Sequence, residues 1–187
     1  DGVPKDPDGG LSPDIRAFGG ESRPVAGTFD QSAQTPGGRI IQGFKRPESV
    51  LVVVYTAQGE VLMLRRTSPR DFWQSVTGSL RWGEMPRRAA QRELFEETGL
   101  RDGGRIRDCH RKVRFPIVPP WRDRYDPGVF FNTEHRFRLQ LPSRRLLRLN
   151  SEEHSMARWL PIPQAARLAS SWTNRDAILD LQQLFGP

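Results

Sequence analysis

At 187 residues the chain is long enough for one sizeable domain, yet its 36% hydrophobic content is low for a protein folded along its whole length. The net charge of +7 is unevenly spread: residues 1–44 hold four basic and six acidic side chains, net −2, which leaves +9 on residues 45–187. No stretch approaches the roughly eighteen apolar residues of a membrane-spanning helix, and the lone Cys109 excludes an intramolecular disulfide.

Residues 1–44 carry nine glycines and five prolines and no sustained apolar period. Such a segment buries too little to order itself, so it is expected to be a disordered extension ahead of a folded domain at 45–187. The opening "DGVPKDPDGG" lacks the basic-then-apolar layout of a secretory signal, and a single cysteine suits a reducing compartment, so a cytoplasmic location is expected. The positive surplus favours anionic partners, either a small polyphosphate or nucleic acid. The arginines are dispersed through "RRTSPR", "RIRDCHRKVR" and "PSRRLLR" rather than gathered on one helix, which argues against a dedicated DNA-reading element.

In chain order, "SVLVVVYTAQGEVLMLRR" (49–66) predicts a hairpin turning at Gln58-Gly59, and its nearly continuous Val/Leu runs predict a strand buried on both faces. "FWQSVTGSL" continues in extended form. "PRRAAQRELFEET" (86–98) predicts a helix, with Pro86 in the first turn and Gly99 as its stop. Ala90, Leu94 and Phe95 are expected on its core side. "RIRDCHRKVRF" and "TEHRFRLQL" alternate as strands do, separated by the Pro- and aromatic-rich loop "PIVPPWRDRYDPGVFFN". "ARWLPIP" predicts a short strand, "QAARLAS" the start of a helix, and "TNRDAILDLQQLF" a final helix capped by Thr173 or Asn174, with Ile178, Leu181 and Phe185 as its apolar stripe. Strands and helices mixed along one core give an α/β-type (α+β) layered domain.

Within the 86–98 helix, Glu93, Glu96 and Glu97 crowd one stripe, because residues three and four apart are neighbours. Like charges so placed repel unless a cation sits among them. A hard divalent ion such as Mg²⁺ prefers carboxylate oxygen and keeps sites open for substrate phosphates. The wider segment "GSLRWGEMPRRAAQRELFEETGL" (78–100) fixes Gly78, Glu84, Arg92, Glu93, Glu96, Glu97 and Gly99 at set offsets, with Leu94 and Leu100 apolar. This resembles the Nudix box, Gly-x5-Glu-x7-Arg-Glu-U-x-Glu-Glu-x-Gly-U, at every defined position. At ordinary residue usage a chance match is on the order of 10⁻⁸ per start position.

The resemblance implies a Nudix fold, a mixed sheet between helices, and hydrolysis of nucleoside-diphosphate-linked compounds. A narrower likeness, carried by "KRPESVLVVVY", "VLMLRR", "DFWQSVTGS", "RYDPGV", "NTE" and "SWTNRDAI", runs from about Lys45 to Leu179. It is to the folate-pathway branch of the family, which cleaves dihydroneopterin triphosphate to the monophosphate and pyrophosphate and accepts some nucleoside triphosphates. By that likeness Glu93, Glu96 and Glu97 correspond to metal ligands and the Gly78 carbonyl to a further one. Arg92 orients them, and Glu153 is a metal ligand or the general base, with Glu152 the alternative in the neighbouring register. Lys45, Arg66, Thr77, Phe115, Pro116, Ile117, Val118, Glu153 and Ser171 match substrate-contacting positions.

The implied cofactor is Mg²⁺, with Mn²⁺ able to substitute, and the implied partner is a small-molecule triphosphate rather than nucleic acid or membrane. The tryptophans read as core or rim, with Trp73 and Trp172 also able to stack on a ring. His110, His135 and His154 have no spacing that groups them as ligands. Prolines at 116, 119 and 120 and Trp82 at a variable box position depart from the branch pattern and bear on pterin selectivity. Two competitors stand beside this reading: a Nudix hydrolase of (deoxy)nucleoside triphosphates or dinucleoside polyphosphates, and a non-catalytic nucleotide- or nucleic-acid-binding module.

Overall fold

The computed structural model describes residues 43–185, so the disordered extension expected at 1–44 lies outside the described residues except for its last two. Among the described residues, seven strands form one mixed sheet. The predicted hairpin is β1 (Glu48–Thr56) and β2 (Glu60–Arg66), closed by Gly59 at φ 78°, a backbone conformation that glycine enters without strain. The two strands pair only near the turn, at Tyr55 opposite Val61, and then splay. β4 (Val76–Ser79) takes up the freed edge of β1 from Ser49 to Val52, and β3 (Trp73–Gln74) takes up that of β2. This splay carries Thr77 and Gly78 into the middle of the sheet.

On its other edge β1 pairs in parallel with β6 (Phe131–Leu141) along nine registered residues, and β6 pairs with the edge strand β5 (Arg107–Pro116). β7 (His154–Pro161) covers the far edge of β2, beginning three residues before the short strand read from "ARWLPIP". Its extra residues place Glu153 and His154 beside the end of β2.

β1 is buried on both faces, as its unbroken apolar run predicts. Val50, Val52 and Val54 join Leu62, Phe137 and Leu139 under α1 (Pro86–Thr98), whose Ala89, Ala90 and Leu94 face them. Leu51, Val53 and Tyr55 join Met63 and Trp73 under α2 (Ile162–Leu168) and α3 (Trp172–Leu179). The expected layering, a mixed sheet between helices, is therefore present.

Several local expectations are corrected. Phe95 does not face the core: it is 43% exposed and stacks under the Arg101 guanidinium at 4.5 Å. The final helix begins at Trp172 with Ser171 as its cap, Ser171 Oγ accepting from the Asn174 amide at 3.3 Å. Thr173 and Asn174, expected as caps, are instead buried within the first turn. The helix breaks after Leu179 and resumes as the short α4 (Gln182–Phe185). Phe185 is part-exposed, its ring set edge-on to Tyr55 at 5.9 Å.

Candidate active site

The helix α1 rests its N-terminus on the loop after β4 and stops at Gly99, whose φ of 72° lets its N–H reach the Phe95 carbonyl at 2.9 Å. That placement brings three glutamates over β4 in three environments. Glu97 is fully buried, Glu93 is mostly buried, and Glu96 is 43% exposed at the rim. Glu93 lies directly over β4, so close to Gly78 that any side chain there would occupy the space of its carboxylate.

Arg92 ties this face together. Its guanidinium donates to both oxygens of Glu84 (2.9 and 2.8 Å), to Glu93 Oε1 (2.6 Å), to Glu96 Oε2 (3.0 Å) and to the Ser79 carbonyl (3.1 Å). The fork geometry of arginine suits the two-pronged hold on Glu84. Hydrogen bonding to Arg92, then the Arg81 amide and the charge of Arg92, holds the Glu84 carboxyl below the usual range despite partial burial. The Glu84 position thus anchors Arg92 rather than the cleft.

Glu97 is the site's energetic anomaly. Its Oε1 accepts one long bond from the Thr77 amide at 3.4 Å, and its Oε2 has no hydrogen-bond donor among the described residues. Burial pushes its carboxyl well up, and repulsion from Glu93 and Glu153 pushes it further. Burial raises Glu93 as well, against the pull of Arg92. A buried carboxylate with one long hydrogen bond, one unpaired oxygen and two other carboxylates beside it is costly unless a cation joins it.

Donor atoms of Glu97, Glu153 and His154 lie within 4.8 Å of one another. His154 Nε2 is 3.1 Å from Glu97 Oε2 but not aligned for a hydrogen bond. Burial lowers the imidazole to about 4, with Arg66 adding to the effect, so it is neutral at pH 7 and does not neutralise Glu97. The absence of a grouping for the histidines is thus corrected for His154, which tertiary folding alone brings to the acids. An orphaned buried carboxylate oxygen among further oxygen donors is what a hard divalent cation fits.

A cleft of about 710 Å³ opens against this centre. Lys45, Arg66, Thr77, Gly78, Phe115, Pro116, Ile117, Val118 and Ser171 all line it, as do Glu93, Glu96 and Glu153. Glu97 and Arg92 sit behind its wall rather than on it. Glu153, not Glu152, faces the cleft; Glu152 is exposed, and its carbonyl accepts from Thr67. Lys45, Arg66 and Arg124 bring three cations to the lining. Burial lowers the Lys45 ammonium first and Arg124 lowers it further, while Glu93 and Glu153 act in the opposite sense. Thr77 Oγ1 accepts from Gln74 at 2.9 Å, and Ser171 Oγ is shared between the cleft and its capping role.

Sequence reasoning missed part of the lining: Phe72, Trp121, Arg124, Asn132 and Glu134. Of the two tryptophans offered for stacking, Trp73 is core and Trp172 lines the cleft. Trp121 came from the aromatic-rich loop, whose composition was the available signal. A second hollow of about 520 Å³, near Tyr55, Arg107 and Arg138, shares no residue with the acidic centre.

Comparison with known proteins agrees with this geometry. The family model for the NUDIX domain matches residues 45–181. The chain is 46% identical over 139 residues to the dihydroneopterin triphosphate diphosphatase of Escherichia coli K12, covering 72% of this chain and 91% of that protein. It is 35% identical over 143 residues to the protein of the same name from Haemophilus influenzae, covering 74% and 89%. The solved E. coli dihydroneopterin triphosphate pyrophosphohydrolase superposes with a TM-score of 0.69 at 45% identity, covering 73% of this chain and 95% of that one. A Nudix hydrolase structure from Listeria monocytogenes, 23% identical with a TM-score of 0.64, shares the fold. With the box residues assembled as one acidic centre and the family pattern spanning the described domain, the chain belongs to the Nudix family, as a Nudix pyrophosphohydrolase.

Proposed function

We propose that this enzyme is a Mg²⁺-dependent pyrophosphohydrolase that cleaves dihydroneopterin triphosphate to dihydroneopterin monophosphate and pyrophosphate. The observation that carries the reading is a junction. In one cleft, the acids around buried Glu97 meet Lys45, Arg66 and Arg124, and the remaining lining is rich in aromatic and apolar side chains. A triphosphate bearing a flat ring needs those three surfaces together. The names of the relatives at 46% and 35% identity support the pterin as that ring.

Glu93, Glu97 and Glu153 would hold the cation, with Glu96 and the Gly78 carbonyl as further candidates. The bound ion would neutralise phosphate charge and acidify a water. Lys45, Arg66 and Arg124 bind the phosphate oxygens, and Thr77, Ser171 and the 115–118 segment hold the rest of the substrate. Water oxygen bonds to the α-phosphorus, and the bond from that phosphorus to the α–β bridging oxygen breaks. The electron pair leaves with pyrophosphate. Glu153, at the cleft and outside the Arg92 network, takes the water's proton. Arg92 keeps Glu93 and Glu96 from drifting while Glu84 holds Arg92, so the chemistry draws on a pre-set arrangement.

A cytoplasmic setting belongs to the same proposal; among the described residues no helix is long and apolar enough to cross a membrane. The test is pyrophosphate release from dihydroneopterin triphosphate and from dATP, with and without Mg²⁺. Metal-dependent turnover favouring the pterin is expected. Metal-dependent turnover favouring dATP would move the substrate to the nucleotides. No release from either would return the chain to a binding role.

A further inference from the structure

Two buried acceptors of the cleft belong to neither the acidic centre nor the phosphate-binding cations. Asn132 and Glu134 alternate on β6, so both project to the face covered by α3, and both line the cleft. They are 3% and 4% exposed. Asn132 Nδ2 donates to Ser49 Oγ at 2.7 Å, which fixes the amide and leaves Oδ1 without a partner among the described residues. Glu134 Oε2 accepts from Thr173 Oγ1 at 3.4 Å, and its Oε1 has no donor there either.

The nearest cation does not resolve this. Arg136 Nε stands 3.7 Å from Glu134 Oε1, beyond hydrogen-bond reach. Its other nitrogens donate to the Thr173 carbonyl at 3.0 Å and to Asp180 at 3.4 Å. Burial pushes the Glu134 carboxyl up to about 7 against the opposing influence of Arg136. Buried polar atoms are seldom left unpaired without a purpose. Two unpaired acceptors, two residues apart on one strand and both on residues that line a cleft, want two donors from whatever enters.

We propose that Asn132 Oδ1 and Glu134 Oε1 are the ring-reading pair of the cleft, accepting adjacent N–H donors from the edge of a 2-amino-4-oxopyrimidine ring, the edge that pterins and guanine share. This rests on the reading of the cleft as the site of triphosphate hydrolysis and deepens it, by naming the residues that choose the ring. Adenine offers one amino donor beside a ring nitrogen that is itself an acceptor, so it satisfies one atom of the pair and opposes the other. Phe72 and Trp121, edge to face at 5.3 Å, line the same cleft and supply apolar surface for a flat ring.

The test compares wild type with Glu134→Gln, on dihydroneopterin triphosphate, dGTP and dATP, together with calorimetric binding of dGMP and dAMP. The amide keeps the shape but turns one acceptor into a donor. The expected result is a loss of about 10- to 100-fold in kcat/KM on the pterin and on dGTP, carried by KM, with dATP unchanged or improved. dGMP affinity should fall in parallel and dAMP affinity should not. Equal losses on all three substrates, or no loss on pterin and dGTP, would overturn the proposal. A wild type that hydrolyses dGTP and dATP but not the pterin would overturn the substrate assignment alone, and the dGTP-against-dATP split would still decide this one. If Glu134→Gln unfolds early in a melt, Asn132→Ala carries the same test with the same expected split.

Discussion

Replacing Gly78 by Ala separates the site from the fold. A Cβ there would lie 1.8 Å from Glu93 Cδ and 1.9 Å from its Oε1, whereas ordinary contact begins near 3.4 Å. The Glu93 carboxylate must therefore move by about 1.6 Å, the difference of those distances. A misplacement of about 1 Å at a reacting centre costs on the order of 100-fold in rate, so kcat/KM should fall by at least that factor. Stability should change little. Gly78 has no positive φ, and the extended strand accepts alanine. The loss is the 2.6 Å bond from Arg92 to Glu93, while Arg92 keeps Glu84 and Glu96. That costs about 1–2 kcal/mol and is partly offset by about 0.5 kcal/mol from a stiffer unfolded chain, a drop of roughly 2–6 °C in Tm. Pyrophosphate-release kinetics and a thermal melt read the two effects separately. Wild-type kcat/KM in a folded Gly78→Ala protein would refute the argued contact between β4 and Glu93.

Removing Arg92 as Ala strands Glu84 and Glu93, and by the usual cost of breaking a mostly buried ionic group should lose about 3 kcal/mol in urea unfolding; Arg92→Lys should recover only part, because an ammonium cannot hold both Glu84 oxygens. Leu94→Ala opens a cavity under α1 at a fully buried position and should cost about 3 kcal/mol or more in the same assay. Glu134 supplies a pH signature. Its carboxyl stands at about 7 in the folded protein against 4.5 unfolded. A raised folded value means its contribution is fully present below pH 4.5 and is lost as pH rises through 7. The lost amount is about 3 kcal/mol at most. Unfolding free energies at pH 4.5 and 8 should show that fall in wild type and a smaller one in Glu134→Gln.

The sequence made the acidic centre legible because helical spacing alone crowds Glu93, Glu96 and Glu97, and because the box offsets are rigid. It could not rank them. Whether Glu97 is buried and Glu96 exposed depends on which side of α1 meets the sheet, which is a tertiary outcome. The same limit misplaced Phe95, one residue beyond the apolar stripe set by Ala90 and Leu94. β1 was readable as doubly buried because its Val/Leu run leaves no polar face. Asn132 and Glu134 were not readable: alternating polar residues on β6 look like a solvated face, and only the packing of α3 over that face buries them. The α3 cap was read at Thr173 or Asn174, and the hydrogen bonds to Ser171 move it to a residue that reading did not name. His154 joins Glu97 through the pairing of β7 with β2, a long-range contact with no local signature.

Glu97 is a buried carboxylate kept for a divalent cation. Electron paramagnetic resonance titration of Mn²⁺ into wild type and Glu97→Gln, with Mg²⁺ as competitor, measures this directly. Wild type should bind Mn²⁺ and release it to Mg²⁺, with affinity in the variant at least about 10-fold weaker. The variant should lose no metal-free thermal stability, since the amide removes an unpaired buried charge. Equal Mn²⁺ affinity in the two proteins would contradict that role for Glu97.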